Sequence, residues 1–162
     1  MKAPFLMAVL AVSLTACGGG SSSSSSNSET DQFTQALSLC GNGQPLPVAE
    51  GAFVYDDDQR YVLEPTDSGA TVEIQDSGSR VCITDDLAGV GTTGTDNAAY
   101  VNGDADQVII TGDGNLFVIW GDVAAMDIEG NNNRVYLQSV ATYDDQGTGN
   151  SVQNISNFSF SN

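Results

Sequence analysis

The groups in this chain that could do chemistry are carboxylates and thiols. It has 21 Asp and Glu residues, three cysteines and no histidine. Without imidazole there is no Ser-His-Asp or Cys-His nucleophile and no histidine metal ligand. What remains is cation binding by hard oxygens, glycoside chemistry by paired carboxylates, or recognition without turnover. The acids gather at Asp56-Asp57-Asp58, Asp85-Asp86 and Asp144-Asp145, with single acids at Asp104, Asp106, Asp113 and Asp122. Asn102-Gly103-Asp104-Ala105-Asp106 opens like an EF-hand loop. Gln107 then stands where the sharp turn needs glycine, and Asp113 where a bidentate glutamate belongs. Asp104, Asp106 and Asp113 are therefore weak calcium candidates, and solvated turn acids are the commoner use of such residues. No pair is singled out as catalytic and no cofactor is expected beyond weak calcium.

Four basic residues give a formal net charge of −17. That excludes a nucleic-acid partner, whose affinity comes largely from Lys and Arg on phosphates, and electrostatic docking on anionic lipid.

The first residues read as an address. Lys2 is a short positive region and Phe5 to Leu14 an apolar run of about ten residues, too short to span a bilayer. Leu14-Thr15-Ala16-Cys17 resembles a bacterial lipobox, which implies cleavage after residue 16 and lipidation of Cys17. Gly18 follows in place of the aspartate of inner-membrane retention, which favours the outer membrane in a diderm cell; the side is open. Residues 17–28 then form a Gly/Ser tether with nothing apolar to bury.

The elements that must position everything else show as a repeat. Gly94, Gly103, Gly112, Gly121 and Gly130 stand nine apart, opening the units GTDNAAYVN, GDADQVIIT, GDGNLFVIW, GDVAAMDIE and GNNNRVYLQ. The register runs back to Asp67 and forward, degenerately, to Gly147. Each unit opens with turn formers. It then places apolar residues at positions six and eight, such as Phe117 and Ile119, on one face of a strand. Such units bury their inner faces only against neighbouring coils. Position four separates when alternate units are compared: Ser79, Asn97, Asn115 and Asn133 form one set, 18 residues apart. The expected fold is all-β, a short parallel β-solenoid as a two-sheet roll with about 18 residues per coil; a triangular β-helix is the alternative. Asn97, Asn115 and Asn133 would stack as an asparagine ladder. Residues 29–66 would form an N-terminal cap, 67–147 the repeats and 148–162 closing strands with Val152, Ile155, Phe158 and Phe160.

With Cys17 lipidated, Cys40 and Cys82 remain, and an exported chain lives where disulfides persist. Cys82 faces outward at position seven, in a column with Tyr100, Val118 and Tyr136, with Trp120 beside it. The segment Phe33 to Leu63 would lie over part of this stripe, stapled by Cys40–Cys82. Alternatively Tyr100, Val118, Trp120 and Tyr136 form a binding face for an unknown protein or for a glycan stacked on the rings.

The run from Val101 to Ser139, followed by Gly147-Thr148-Gly149-Asn150-Ser151-Val152, resembles the bacterial family called domain of unknown function 3060. Its pattern G-x-x-N-x-V-x-V is matched by Gly112, Asn115, Phe117 and Ile119, and by Gly130, Asn133, Val135 and Leu137. The resemblance implies a β-solenoid in an exported or lipid-anchored protein and implies no activity. The expected function is that of a non-enzymatic lipid-anchored envelope protein. Its solenoid would be a structural or binding module. Calcium-dependent adhesion is the alternative and carbohydrate-active chemistry the less favoured one.

Peptide mapping of the mature protein under non-reducing conditions should recover Cys40 linked to Cys82; two alkylatable thiols would contradict the staple.

Overall fold

The computed structural model describes Ser38, Cys40 and residues 44–157. The signal peptide, Cys17, the tether, Phe158 and Phe160 lie outside the described residues. The described chain is an all-β parallel solenoid in which successive strands alternate between two sheets. Sheet A runs β1 (Leu46–Val48), β3 (Arg60–Pro65), β5 (Arg80–Ile83), β7 (Ala98–Val101), β9 (Leu116–Ile119), β11 (Arg134–Leu137) and β13 (Ser151–Asn154). Sheet B runs β2 (Gly51–Val54), β4 (Thr71–Ile74), β6 (Leu87–Thr92), β8 (Ala105–Ile110), β10 (Asp122–Ile128) and β12 (Ser139–Asp145). A turn of 3-10 helix (Ile155–Asn157) follows.

The register gives the coil length. Arg80 pairs with Ala98, Ala98 with Leu116, and Leu116 with Arg134, each 18 residues on. Two strands per coil and two sheets follow, as the alternate-unit comparison predicts, and the triangular alternative is set aside. The register departs from 18 at the ends. Arg60 pairs with Arg80 and Gly51 with Thr71, 20 residues apart, while Arg134 pairs with Ser151 at 17. The solenoid therefore starts at β1 and not at Asp67. Residues 46–65, expected to form a cap lying over sheet A, are themselves strands of both sheets. Two extra residues in this coil break the nonapeptide register and hide it from the periodicity.

Positions six and eight of both sheets merge into one core. Phe117, Met126, Ile74, Ile83, Ile110, Ile119 and Ile128 are its largest fully buried side chains. Removing one of these should be costly because the interior is close-packed. Thr92 breaks the apolar column without an unpaired hydroxyl. Its Oγ1 donates to Ile74 O (2.9 Å) and accepts from Gly94 N (3.2 Å) and Asn97 Nδ2 (3.1 Å).

The turns between sheet B and sheet A stack in columns. In the fourth position the ladder is continuous: Asn97 Oδ1 accepts Ser79 N–H, Asn115 Oδ1 accepts Asn97 N–H, and Asn133 Oδ1 accepts Asn115 N–H, at 2.8, 2.9 and 2.8 Å. Asn150 Oδ1 adds a further rung on Asn133 N–H at 2.8 Å. The amide of Asn97 donates back to Asp76 O, and that of Asn115 to Gly94 O. Each asparagine thus satisfies backbone groups of neighbouring coils that water cannot reach. In the third position the residues have positive φ and alternate: Asp58, Gly78, Asp96, Gly114, Asn132, Gly149. The side chain of each Asx fills the space a Cβ would need in the next coil. A Cβ on Gly114 would lie 2.7 Å from Asp96 Oδ1, and one on Gly149 2.6 Å from Asn132 Oδ1.

The last strand of sheet B, β12, is largely exposed. Its inward column ends in Tyr143, opposite Met126 and 43 % exposed, whose Oη donates to Asp145 Oδ2 at 2.8 Å. The Asn150 amide, donating to Asp145 Oδ1 at 2.8 Å, holds that carboxyl below its ordinary range. Acids at the end of the roll oppose the pairing of another strand onto it.

Asn115→Leu should lower unfolding free energy by about 1–3 kcal/mol in urea titration, because it strands Asn97 N–H and Gly94 O in the interior. A neutral result would mean that the ladder is decorative.

Candidate functional site

The solenoid has two outer faces, and they differ in what they present to solvent. On sheet A the outward column is Val62, Cys82, Tyr100, Val118 and Tyr136, in direct register. All five are buried, Tyr100 and Tyr136 to 6 % exposure. They form a second apolar cluster with Ala98, Leu116 and Ile155, against which Cys40 and Trp120 pack. Cys40 is bonded to Cys82, with Cα atoms 5.5 Å apart, so the chain preceding the solenoid is fastened to this face. Ile155, in the turn after β13, covers its other end. The Trp120 ring meets Tyr100 edge-on, at a centroid distance of 6.1 Å and 74°.

The proposed binding face at Tyr100, Val118, Trp120 and Tyr136 is thus corrected. Tyr100, Val118 and Tyr136 are spent on packing, and among these four residues Trp120 alone keeps part of its ring at the surface. The disulfide fastens Cys40 to this face at Cys82, and Ile155, expected only to close the last coil, joins the same cluster from the far end. Burial also pushes the Tyr100 phenol up from 10.0 to about 12.

The turn acids have structural partners. Asp86 Oδ1 accepts Asp104 N–H, and Asp104 Oδ1 accepts Asp122 N–H, both at 2.7 Å. In the other turn, Asp57 Oδ1 accepts Ser77 N–H at 2.9 Å and Asp113 Oδ1 accepts Asn131 N–H at 2.6 Å. The weak calcium candidates do not converge. Asp104 lies in the turn that enters β8 and Asp106 in β8 itself, whereas Asp113 lies in the turn that leaves it, at the opposite edge of the roll. Among the described residues no group of three or more Cys, Asp or Glu is placed to hold a metal ion.

The open face is on sheet B. Its two outward columns are Gly51, Thr71, Gly89, Gln107, Ala125, Thr142 and Phe53, Glu73, Gly91, Ile109, Asp127, Asp144. Gly89 and Gly91 on β6 leave a notch one strand wide. Thr71 and Glu73 wall it on one side and Gln107 and Ile109 on the other, with Phe53 beyond Glu73. The groove holds about 300 Å³. Phe53 is 56 % and Ile109 39 % exposed, and the Phe53 ring stacks on Tyr55 at 5.7 Å and 20°. Two glycines side by side in a strand carry no apolar signal, so pattern reading passed over them.

The raised Tyr100 pKa has a pH signature. Below about pH 10 both states keep the phenolic proton and stability is unaffected. Between pH 10 and about 12 the unfolded chain ionises while folded Tyr100 does not. Stability should therefore fall over that window and level off above it. Thermal melts across pH 9–12 should show this decline, and Tyr100→Phe should lessen it, the remainder coming from Tyr143, whose phenol burial and Asp145 also push up to about 12; a slope unchanged by Tyr100→Phe would place the Tyr100 phenol in water.

Comparison of the chain with protein-family models, curated proteins and solved structures finds no match in any of the three.

Proposed function

We propose that the chain is a non-enzymatic, lipid-anchored envelope protein whose β-solenoid serves as a structural or binding module. The observation that carries this reading is the use of the turn side chains. Asp57, Asp86, Asp104 and Asp113, the groups nearest to chemistry in the sequence, each accept a backbone N–H of the next coil. Such carboxylates are positioned by and for the stack. Paired catalytic acids need a facing partner across a cleft instead.

The lipobox-like Leu14-Thr15-Ala16-Cys17 and the Gly/Ser tether support the anchor. Among the described residues no helix is long and apolar enough to cross a membrane. Attachment through a lipidated Cys17 would hold the roll off the surface, with additional acyl chains securing it where one is marginal.

Intact-mass analysis of the protein made in a diderm host should show a mature N-terminus at Cys17 carrying acyl chains. Cys17→Ala should move the chain from the membrane fraction to the soluble one. A mature protein of unmodified mass, or a Cys17→Ala variant still in the membrane fraction, would overturn the anchor.

A further inference from the structure

The notch on β6 has the form and charge of a receptor for a long cationic side chain. Its floor is the backbone at Gly89 and Gly91, flat and free of side chains. Neighbouring strands lie about 4.8 Å apart, so its walls stand roughly 10 Å from each other. That width admits one extended side chain lying along the strand. Phe53 and Ile109 supply exposed apolar surface, and Phe53 and Tyr55 supply π-faces. Glu73 lines the groove, and its Oε1 accepts from Gln75 Nε2 at 2.8 Å.

The charge around it has one sign. Asp127 and Asp144 continue the Glu73 column, and no basic residue stands in either outward column of sheet B. The three arginines of the described chain, Arg60, Arg80 and Arg134, are all on sheet A. On Arg80, Nη1 is bound to the turn carbonyls Gly78 O, Ser79 O and Asp96 O. With a net charge of −17, the field over sheet B attracts cations and repels anions.

We propose that this groove binds a lysine or arginine side chain presented by an extended basic segment of a partner protein. The aliphatic stem lies over Gly89 and Gly91, packed between Phe53 and Ile109. The charged head reaches the Glu73 carboxylate and the Phe53 ring. The inference deepens the reading of the solenoid as a binding module and does not depend on the lipid anchor.

The test is a 1H–15N titration of the purified full chain with the peptide acetyl-Gly-Lys-Leu-Lys-Gly-amide. The control is the same peptide with both lysines acetylated. The lysine peptide should shift the Gly89 and Gly91 amides, and the acetylated one should not. Gly89→Val should weaken binding at least about tenfold by filling the notch. An added Cβ there meets Thr71 Cγ2 and Gln107 O at ordinary distances of 3.6 and 3.7 Å, so the strand accommodates the branch point, and an unchanged amide spectrum away from the groove checks that the variant is folded. Glu73→Gln, which leaves the shape intact, should weaken binding about two- to fivefold. Undisturbed Gly89 and Gly91 amides, equal binding of the acetylated peptide, or a neutral oligosaccharide such as cellohexaose shifting the same amides more strongly would each overturn the proposal.

Discussion

Through the central coils each residue sits directly above its counterpart in the next, one β-strand spacing of about 4.8 Å away. That single constraint governs the molecule. Each position is a column, and each column must be compatible with itself. Apolar columns satisfy the rule by packing, as Val72, Val90 and Val108 do inside sheet B. Polar columns satisfy it by passing hydrogen bonds along, as Asn97, Asn115 and Asn133 do. Charged side chains obey it less easily, because like charges stacked this closely repel. Many acids therefore stand where an oxygen can take an N–H from the adjoining coil, and others, such as the stacked Asp127 and Asp144, stand on the outer face of sheet B where water screens them.

The same constraint explains what could be read from the sequence. Inward columns, coil length and the two-sheet arrangement follow from periodicity alone, since Phe117, Ile119 and their counterparts repeat in type and place. Asn97, Asn115 and Asn133 share one column in the structure because they share one phase in the sequence. Where the phase slips, pattern reading loses the coil. The 20-residue step from Arg60 to Arg80 concealed β1 to β3, and the 17-residue step to Ser151 concealed Asn150 as a rung. The exposure of an outward column was also illegible. Tyr100 and Tyr136 face away from the core in any periodic reading, and only chain from outside the repeat decides whether they meet water. Gly89 and Gly91 were passed over for the opposite reason: a notch is made by side chains that are absent.

Sheet A and sheet B have nearly identical inner faces and opposite outer ones. Sheet A carries the arginines, the disulfide and the covered aromatic stripe. Sheet B carries glycines, acids and the exposed Phe53 and Ile109. A roll built from one nonapeptide template has thus been differentiated by its outward positions, where a substitution costs the stack least. The scaffold and the recognition surface are separable in this architecture: inner columns and turns hold the coil spacing while outer columns vary freely.

The alternation of Asx and glycine at the left-handed turn position sets a rule for how such a protein can lengthen. Asp58, Gly78, Asp96, Gly114, Asn132 and Gly149 repeat every second coil, not every coil. Duplicating one coil would set two Asx side chains on adjacent levels competing for one volume, or leave two glycines with that volume unfilled. Duplicating a pair of coils preserves the order. The natural unit of growth is therefore a double coil, so homologues of different length should differ by whole pairs, and an odd insertion should bring a compensating change at this position.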